Sequence, residues 1–247
     1  MLRAYVCLDL GEHRGRSHYF LGRFIDPANH ELFAWYLRAG DTFIDVGAHI
    51  GLHTLYASRL VGASGRVLSY EPQPLSFGVL QAHLAINRID NCVAVNVALS
   101  DEPGECTLSS PDEELGTGTL RELPVARSRI AVRAERAESI IDVSELRGRV
   151  LIKIDTEGFE HKVVRGLGRL LERQDVGLCI EVTDRWLREA GSSASQLFDE
   201  LRSMGYSAFR HSARRSGVGW RLELIPLEKP DSLSQYDAFF ARPASIR

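Results

Sequence analysis

Cysteine is scarce in this chain. Its 247 residues hold four, Cys7, Cys92, Cys106 and Cys179, with no paired spacing. That excludes a disulfide-framed scaffold and a C-x-x-C metal or redox motif, and it points to reduced thiols in a cytoplasmic protein. No apolar run approaches the ~20 residues of a membrane span, so no membrane association is expected. The opening stretch Met1–Leu10 lacks the long apolar core and small-residue cleavage site of a signal peptide. Positive charge is not in excess. Lys and Arg number 30 against 33 Asp and Glu, a net charge of −3, so no global basic field favours nucleic acid. No aromatic-flanked N-P-P-Y signature for a flipped base is present, no Asp-Asp pair suggests a ready metal site, and no internal repeat divides the chain. The sequence assigns no oligomeric state.

What is present is an α/β pattern. A hydrophobic fraction of 44% and a charged fraction of 26% suit a soluble domain with a sizeable core. The organising stretch is Thr42–Leu52. Phe43, Ile44 and Val46 form an apolar run of strand length, Gly47 and Gly51 follow, and Leu52, Leu55, Tyr56 and Leu60 then recur at helical spacing. Strand, glycine turn and helix start bring a ligand close to backbone N–H groups. A dinucleotide site wants G-x-G-x-x-G facing a pyrophosphate. Here the spacing is Asp-x-Gly-x-x-x-Gly, with Asp45 at the strand end. A carboxylate there repels phosphate and suits the cationic ammonium of S-adenosylmethionine.

Around this unit the spacing predicts a helix over Ala28–Arg38, a strand over Arg66–Tyr70, a helix over Leu75–Arg88 and a strand over Cys92–Ala98. Further strands are expected at Arg129–Arg136, Val150–Asp155 and Val176–Val182, a helix at Ser193–Met204, and closing strands at Arg221–Leu227 and Tyr236–Ala241. Strands alternating with helices imply an α/β fold with a mostly parallel sheet covered by helices on both faces. Residues 1–40 read as an N-terminal cap and 41–247 as the main domain. Within that domain 102–149 is an insert, and 112–120, rich in Gly, Thr and acid, is expected to form a lid.

Glu71 ends the second predicted strand, 20 residues beyond Gly51, where an acid reaches ribose hydroxyls in doubly wound nucleotide sites. Leu99-Ser100-Asp101 follows the third strand, at the expected adenine edge. Asp155 ends the fifth, Val150–Asp155, and Glu157, two residues on, points the same way in an extended chain. Asp155, Glu157 and Glu181 offer carboxylate oxygens that suit Mg²⁺, though metal independence is preferred. Arg210, His211, Arg214, Arg215 and Arg221 form a basic patch, the basis of an alternative nucleic-acid reading.

Phe43-Ile44-Asp45-Val46-Gly47-Ala48-His49-Ile50-Gly51, Tyr70-Glu71-Pro72, Asn96-Val97-Ala98-Leu99-Ser100-Asp101 and Ile152-Lys153-Ile154-Asp155-Thr156-Glu157-Gly158-Phe159-Glu160 occur in this order. Together they resemble the FkbM family of S-adenosylmethionine-dependent methyltransferases, over about residues 30–182. The resemblance implies a class I methyltransferase, Rossmann-like fold with a mostly parallel seven-stranded sheet, S-adenosylmethionine as donor and O-methylation of a small-molecule hydroxyl on a sugar or polyketide, with carboxyl methylation as an alternative. Carried over by position, Asp45, Gly47, His49 and Gly51 would hold the methionine end. Glu71 would hold the ribose, and Ser100 and Asp101 would lie near the adenine. Asp155, also counted with the cofactor-binding residues, and Glu157 are the best candidates for serving the acceptor, with His161 and His53 weaker ones. One departure is His49, where the family usually has Asn; a neutral imidazole can still donate one hydrogen bond.

Overall fold

The structure, a computed structural model, describes residues 4–7, 26–110, 118–121, 123, 125–217, 219–231 and 233–246. Five parallel strands form its centre: β1 (Thr42–Val46), β2 (Arg66–Tyr70), β3 (Cys92–Val95), β7 (Val150–Ile154) and β8 (Val176–Val182). Three antiparallel strands extend it: β9 (Ser207–Ser216), β10 (Gly219–Pro226) and β11 (Tyr236–Ala241). The order is β10-β9-β11-β8-β7-β1-β2-β3, eight strands in all. The strand beyond the expected seven is β9, which pairs with both β11 and β10.

The buried strands sort their side chains by period-2 alternation. Ile44 and Val46 of β1, Val150, Ile152 and Ile154 of β7, and Leu178 and Ile180 of β8 enter one core. Helices α5 (Glu160–Leu167) and α7 (Ala194–Ser203) close that core with Val163, Val164, Leu197, Phe198 and Leu201. Phe43, Leu151, Cys179 and Phe239 face the opposite side. There they meet α1 (Pro27–Tyr36) through Leu32, Phe33 and Tyr36, and α2 (Leu52–Val61) through Ala57 and Val61. Gly177 lets Tyr36 and Phe239 lie on the sheet, since a Cβ there would come 2.9 Å from the Tyr36 ring and 3.0 Å from that of Phe239.

The expected third strand splits. β3 stops at Val95, and β4 (Ala98–Leu99) leaves to join β6 (Ser128–Glu135) and β5 (Gly104–Ser110) in a second, three-stranded sheet. The insert therefore carries strands of its own. The expected lid at 112–120 falls largely on residues 111–117, outside those described, as does most of the N-terminal cap. The remaining helices are α3 (Pro74–Ile86), α4 (Ala137–Ile140) and α6 (Asp184–Glu189). Among the described residues no helix is long and apolar enough to cross a membrane.

Helix α1 is fastened to the sheet by one buried amide. Asn29 is 1% exposed. Its Nδ2 donates to Asp26 at 2.6 Å and to Asp237 of β11 at 3.0 Å. Its Oδ1 accepts from Cys179 Sγ at 3.1 Å and from His211 Nε2 at 2.7 Å. Asn29→Ala strands these buried partners and is expected to cost about 2–4 kcal/mol. Urea unfolding measures this, and a loss below ~1 kcal/mol would show that α1 is held by its apolar contacts alone.

Candidate active site

β1 lies between β2 and β7, where the direction of strand succession reverses. Open α/β sheets place ligands at the carboxyl ends of the strands at this point. A cleft of about 700 Å³, counting the space open to solvent, lies there. Its walls come from the turn after β1 (Val46, Gly47, His49), the end of β2 (Tyr70–Gln73), β4 and its approach (Val97–Leu99), and the end of β7 (Asp155–Glu157). Leu108, Gly118 and Leu120 of the insert close one side.

Two glycines shape the turn of the first wall, Gly47 lining the cleft and Gly51, expected to hold the cofactor, standing outside its lining against Leu80. Gly47 has φ +79°, and a Cβ on it would lie 1.9 Å from the Asp155 carbonyl oxygen. Gly51 has φ +85°, and its Cβ would meet Leu80 at 2.3 Å. Both positions need the left-handed region and a bare Cα. His49 also has a positive φ of 51°. Asn and His are among the residues enriched in that region, which accounts physically for either type standing here. The contact His49 makes with the cleft is a backbone one, its N–H donating to Glu71 Oε2 at 2.7 Å.

Glu71 is buried, 6% exposed. It accepts from His49 N on one oxygen and from Gln73 N on the other, at 2.7 and 2.8 Å. Each carboxylate oxygen has a second lone pair for a further donor. Burial pushes the Glu71 carboxyl up to about 7, while the two backbone N–H groups pull it down. Asn96 supports the turn from below, donating to the carbonyls of Glu71 and Pro72 at 2.8 and 2.9 Å.

On the β7 side, Asp155, Glu157 and Glu181 bring carboxylate oxygens within 4.8 Å of one another. That spacing suits a hard cation, and a positive charge is already in place. Lys153, 2% exposed, donates from Nζ to Asp155 Oδ2 at 2.8 Å. Burial opposes the charge on Lys153, but Asp155, Asp237 and Asp45 outweigh it and hold the ammonium protonated well beyond its ordinary range. Burial raises the Glu181 carboxyl, and the Asp155 charge adds to that.

Not every expected residue reaches the cleft. Strand alternation turns Asp45 to the same face as Phe43, away from Val46. It is 1% exposed and accepts from Thr54 Oγ1 of α2 at 2.6 Å. Ser100 and Asp101 do not line the cleft. Ser100 donates to Asp101 Oδ1 at 3.1 Å, the Asp101 carbonyl accepts from Arg136, and Gly166 of α5 packs on Ser100. The wall an adenine would meet is instead apolar, Val97, Leu99, Leu108 and Leu120. His161 stands outside the cleft and is 3% exposed, its ring nitrogens engaged by Ser192 and by Glu200 of α7, a structural position rather than a catalytic one. His53 is buried beside Asp26, and burial holds it neutral. The basic patch sits on β9 and β10, with β11, β8 and β7 between it and β1. Arg210 pairs with Asp231, Arg214 with Glu223, and His211 is buried against Asn29.

Sequence reasoning passed over Asn96, Lys153 as a partner of Asp155, and Arg121. The last, 7% exposed, donates from Nε to the Glu157 carbonyl at 2.6 Å. Only Lys153 carried a local signal, a charge inside an otherwise apolar strand.

Comparison with known proteins agrees with this geometry. A curated relative, "31-O-demethyl-FK506 methyltransferase FkbM" of Streptomyces tacrolimicus, is 30% identical over 164 residues, covering 53% of this chain and 61% of that protein. "Methyltransferase 1" of Beauveria bassiana (strain ARSEF 2860) is 29% identical over 150 residues, covering 51% and 59%. The chain thus spans about three fifths of the length of these relatives. Among solved structures, a putative O-methyltransferase from Klebsiella pneumoniae matches with a TM-score of 0.50 at 13% identity, over 92% of this chain and 86% of that one. A putative rRNA-methylase from Clostridium thermocellum matches with a TM-score of 0.50 at 10% identity, over 88% and 97%. Both support the class I methyltransferase fold and nothing finer. The model of the methyltransferase FkbM domain matches residues 45–208, from the strand-end acid of β1 to the start of β9, and the chain belongs to that family of methyltransferases.

Proposed function

We propose that this methyltransferase uses S-adenosylmethionine to methylate a hydroxyl oxygen of a small molecule, such as a sugar or a polyketide. The observation that carries the reading is the division of the cleft at β1. A buried ribose-type acid, Glu71, lies on one side, and the carboxylates of Asp155 and Glu157 lie on the other. The donor fits this division. Gly47 lines the cleft with its bare Cα packed on the Asp155 carbonyl, Glu71 keeps acceptor capacity for a diol, and the Val97–Leu99 wall suits a flat base. Bound S-adenosylmethionine supplies a methyl group made electrophilic by the sulfonium.

The chain's own residues do the rest. Asp155 and Glu157 accept the hydrogen bond of the acceptor hydroxyl, aim its oxygen along the line of displacement and take its proton as the C–O bond forms. General-base help of this kind is typically worth ~10²–10⁴-fold. Lys153 holds Asp155 in place from beneath and supplies the positive charge, so no metal is invoked. A carboxylate acceptor is disfavoured because it would be repelled by Asp155 and Glu157, and among the described residues no Lys or Arg lines the cleft. The nucleic-acid reading is disfavoured because the arginines of β9 and β10 are remote from the cleft, and Arg210 and Arg214 are paired with acids.

Titration calorimetry should show stoichiometric binding of S-adenosylhomocysteine and none of NAD; the reverse would end this reading. The affinity should depend on pH through Glu71. A ribose diol donates to the ionised carboxylate, so binding must release the proton of a group poised near 7. Affinity should therefore fall as pH drops from 8 to 5.5, by at most about tenfold per unit. Glu71→Gln should bind more weakly at pH 8 and lose most of that slope.

The product class is testable with methyl-labelled S-adenosylmethionine and a panel of monosaccharides, amino sugars and polyketide alcohols. Ethers keep the label in mild alkali, whereas methyl esters release it as methanol. Alkali-stable product is expected, formed in the presence of EDTA. Asp155→Asn should cut turnover ~10²-fold or more with S-adenosylhomocysteine affinity changed only a few-fold. Alkali-labile product would transfer the assignment to carboxyl methylation.

A further inference from the structure

Glu157 is a non-glycine residue with φ +55°, in the left-handed region that L side chains rarely adopt. Such backbone persists only where its surroundings over-determine it. Here the fixing groups come from the insert. Thr119 Oγ1 and Arg121 Nε donate to the Glu157 carbonyl at 2.8 and 2.6 Å. Thr119 is pinned in turn by a paired backbone bridge to Ser109 of β5, at 2.8 and 2.9 Å. Arg121 is held at its outer end by Glu189 and lies over the Trp186 ring at 5.0 Å, both on α6. Gly158 completes the fit. It has φ +112°, and a Cβ there would lie 2.5 Å from Arg121 Cδ and 2.9 Å from the Trp186 carbonyl. Glu160 fastens the other side of the same turn, accepting from Thr156 N and Gly158 N at 3.1 and 2.9 Å.

The strand-like alternation of this short segment gives it two faces. Thr119 and Arg121 grip the Glu157 turn, while Gly118 and Leu120 line the cleft. We propose that Arg121 is a positioning residue for methyl transfer, clipping the insert onto the Glu157 backbone so that the Glu157 carboxylate stands beside Asp155 while Leu120 closes the cleft. The proposal rests on the acceptor-side reading of Glu157 and adds its support. It assigns the insert a task, which is to set the acceptor side through one buried guanidinium. The fork of Arg121 is suited to this, since it spans a carbonyl at one end and a carboxylate at the other.

The test needs no knowledge of the acceptor. In sinefungin, a carbon bearing an amino group replaces the sulfonium and its methyl. Its ammonium therefore stands where the methyl would, facing Asp155 and Glu157. The ratio of the S-adenosylhomocysteine Kd to the sinefungin Kd, measured by calorimetry on the full chain, reports how well those acids are aimed. Glu157→Gln should lower the ratio ~10-fold. Arg121→Met should lower it by a similar factor with S-adenosylhomocysteine affinity within about threefold of wild type. The double variant should fall no lower than Glu157→Gln alone. A purely structural Arg121 predicts something else: a lower melting temperature, both ligands weakened equally and an unchanged ratio, which would overturn the proposal, as would multiplying effects in the double variant. Should Arg121→Met fail to fold, Glu189→Gln removes only the outer carboxylate; a smaller fall in the ratio is then expected, and no fall overturns the clip. If Glu157→Gln itself leaves the ratio at the wild-type value, the reading of Glu157 fails first and the clip has nothing to aim.

Discussion

The site depends on the contact between Gly47 and the carbonyl of Asp155. The β1–β7 ladder continues one step past the strands, with Asp155 N donating to Val46 O at 3.0 Å. The next residue of β1 must therefore pass directly over the β7 end. Any side chain there would collide, since a Cβ would come 1.9 Å from the Asp155 oxygen. A bare Cα lets the donor-side turn and the acceptor-side turn share one wall. The distance between the two halves of the chemistry is thus set by sheet register and one missing methyl group. It does not depend on side-chain rotamers, and that suits a displacement in which two reactants must be held in line.

Beneath that contact lies a buried ammonium among carboxylates. Burying charge is costly unless it is paired and hydrogen-bonded. Lys153 meets the condition through Asp155 at 2.8 Å and through the nearby charges of Asp237 and Asp45. An apolar residue at 153 would pack as well, but would leave these acids without a common counter-charge. The network continues through Asn29 to Asp26 and His211, so the same polar layer that steadies Asp155 also docks α1.

Much of this was legible in the sequence, for physical reasons. Short apolar runs ending in glycine or acid gave β1, β2, β7 and β8 because a parallel sheet buries both faces of its strands. The spacing of Gly47, Gly51 and Glu71 marked the cleft because backbone geometry at a strand-to-helix turn is local. What period-2 alternation says about Asp45 was also available: sharing parity with Phe43, it leaves the face that Val46 occupies. β9 was hidden because Arg210, Arg214 and Arg215 interrupt its apolar pattern near the sheet's edge. Arg121, Asn29 and Asn96 were not legible. Each bonds to groups distant in sequence, and no periodicity announces a long-range hydrogen bond.

Strain is placed where the chemistry is. Among the described residues three non-glycine positions have positive φ, and two of them, His49 and Glu157, line the cleft. They face it from opposite sides of β1, and each is tied down by a single backbone group. The N–H of His49 is held by Glu71, and the carbonyl of Glu157 by Thr119 and Arg121. Left-handed backbone turns one peptide group out of the local hydrogen-bonding pattern, which frees it to meet a partner from another element. In the first turn the partner is Glu71, the acid proposed to hold the ribose, so the strain helps to aim that carboxylate. In the second the partners come from the insert, so the strain aims Glu157, the acid proposed to face the acceptor. The donor half is thereby closed within the sheet's own turns, while the acceptor half is set by a segment that lies outside the parallel sheet. Substitutions in the insert can therefore reach the Glu157 turn without disturbing the turn that joins β1 to Glu71.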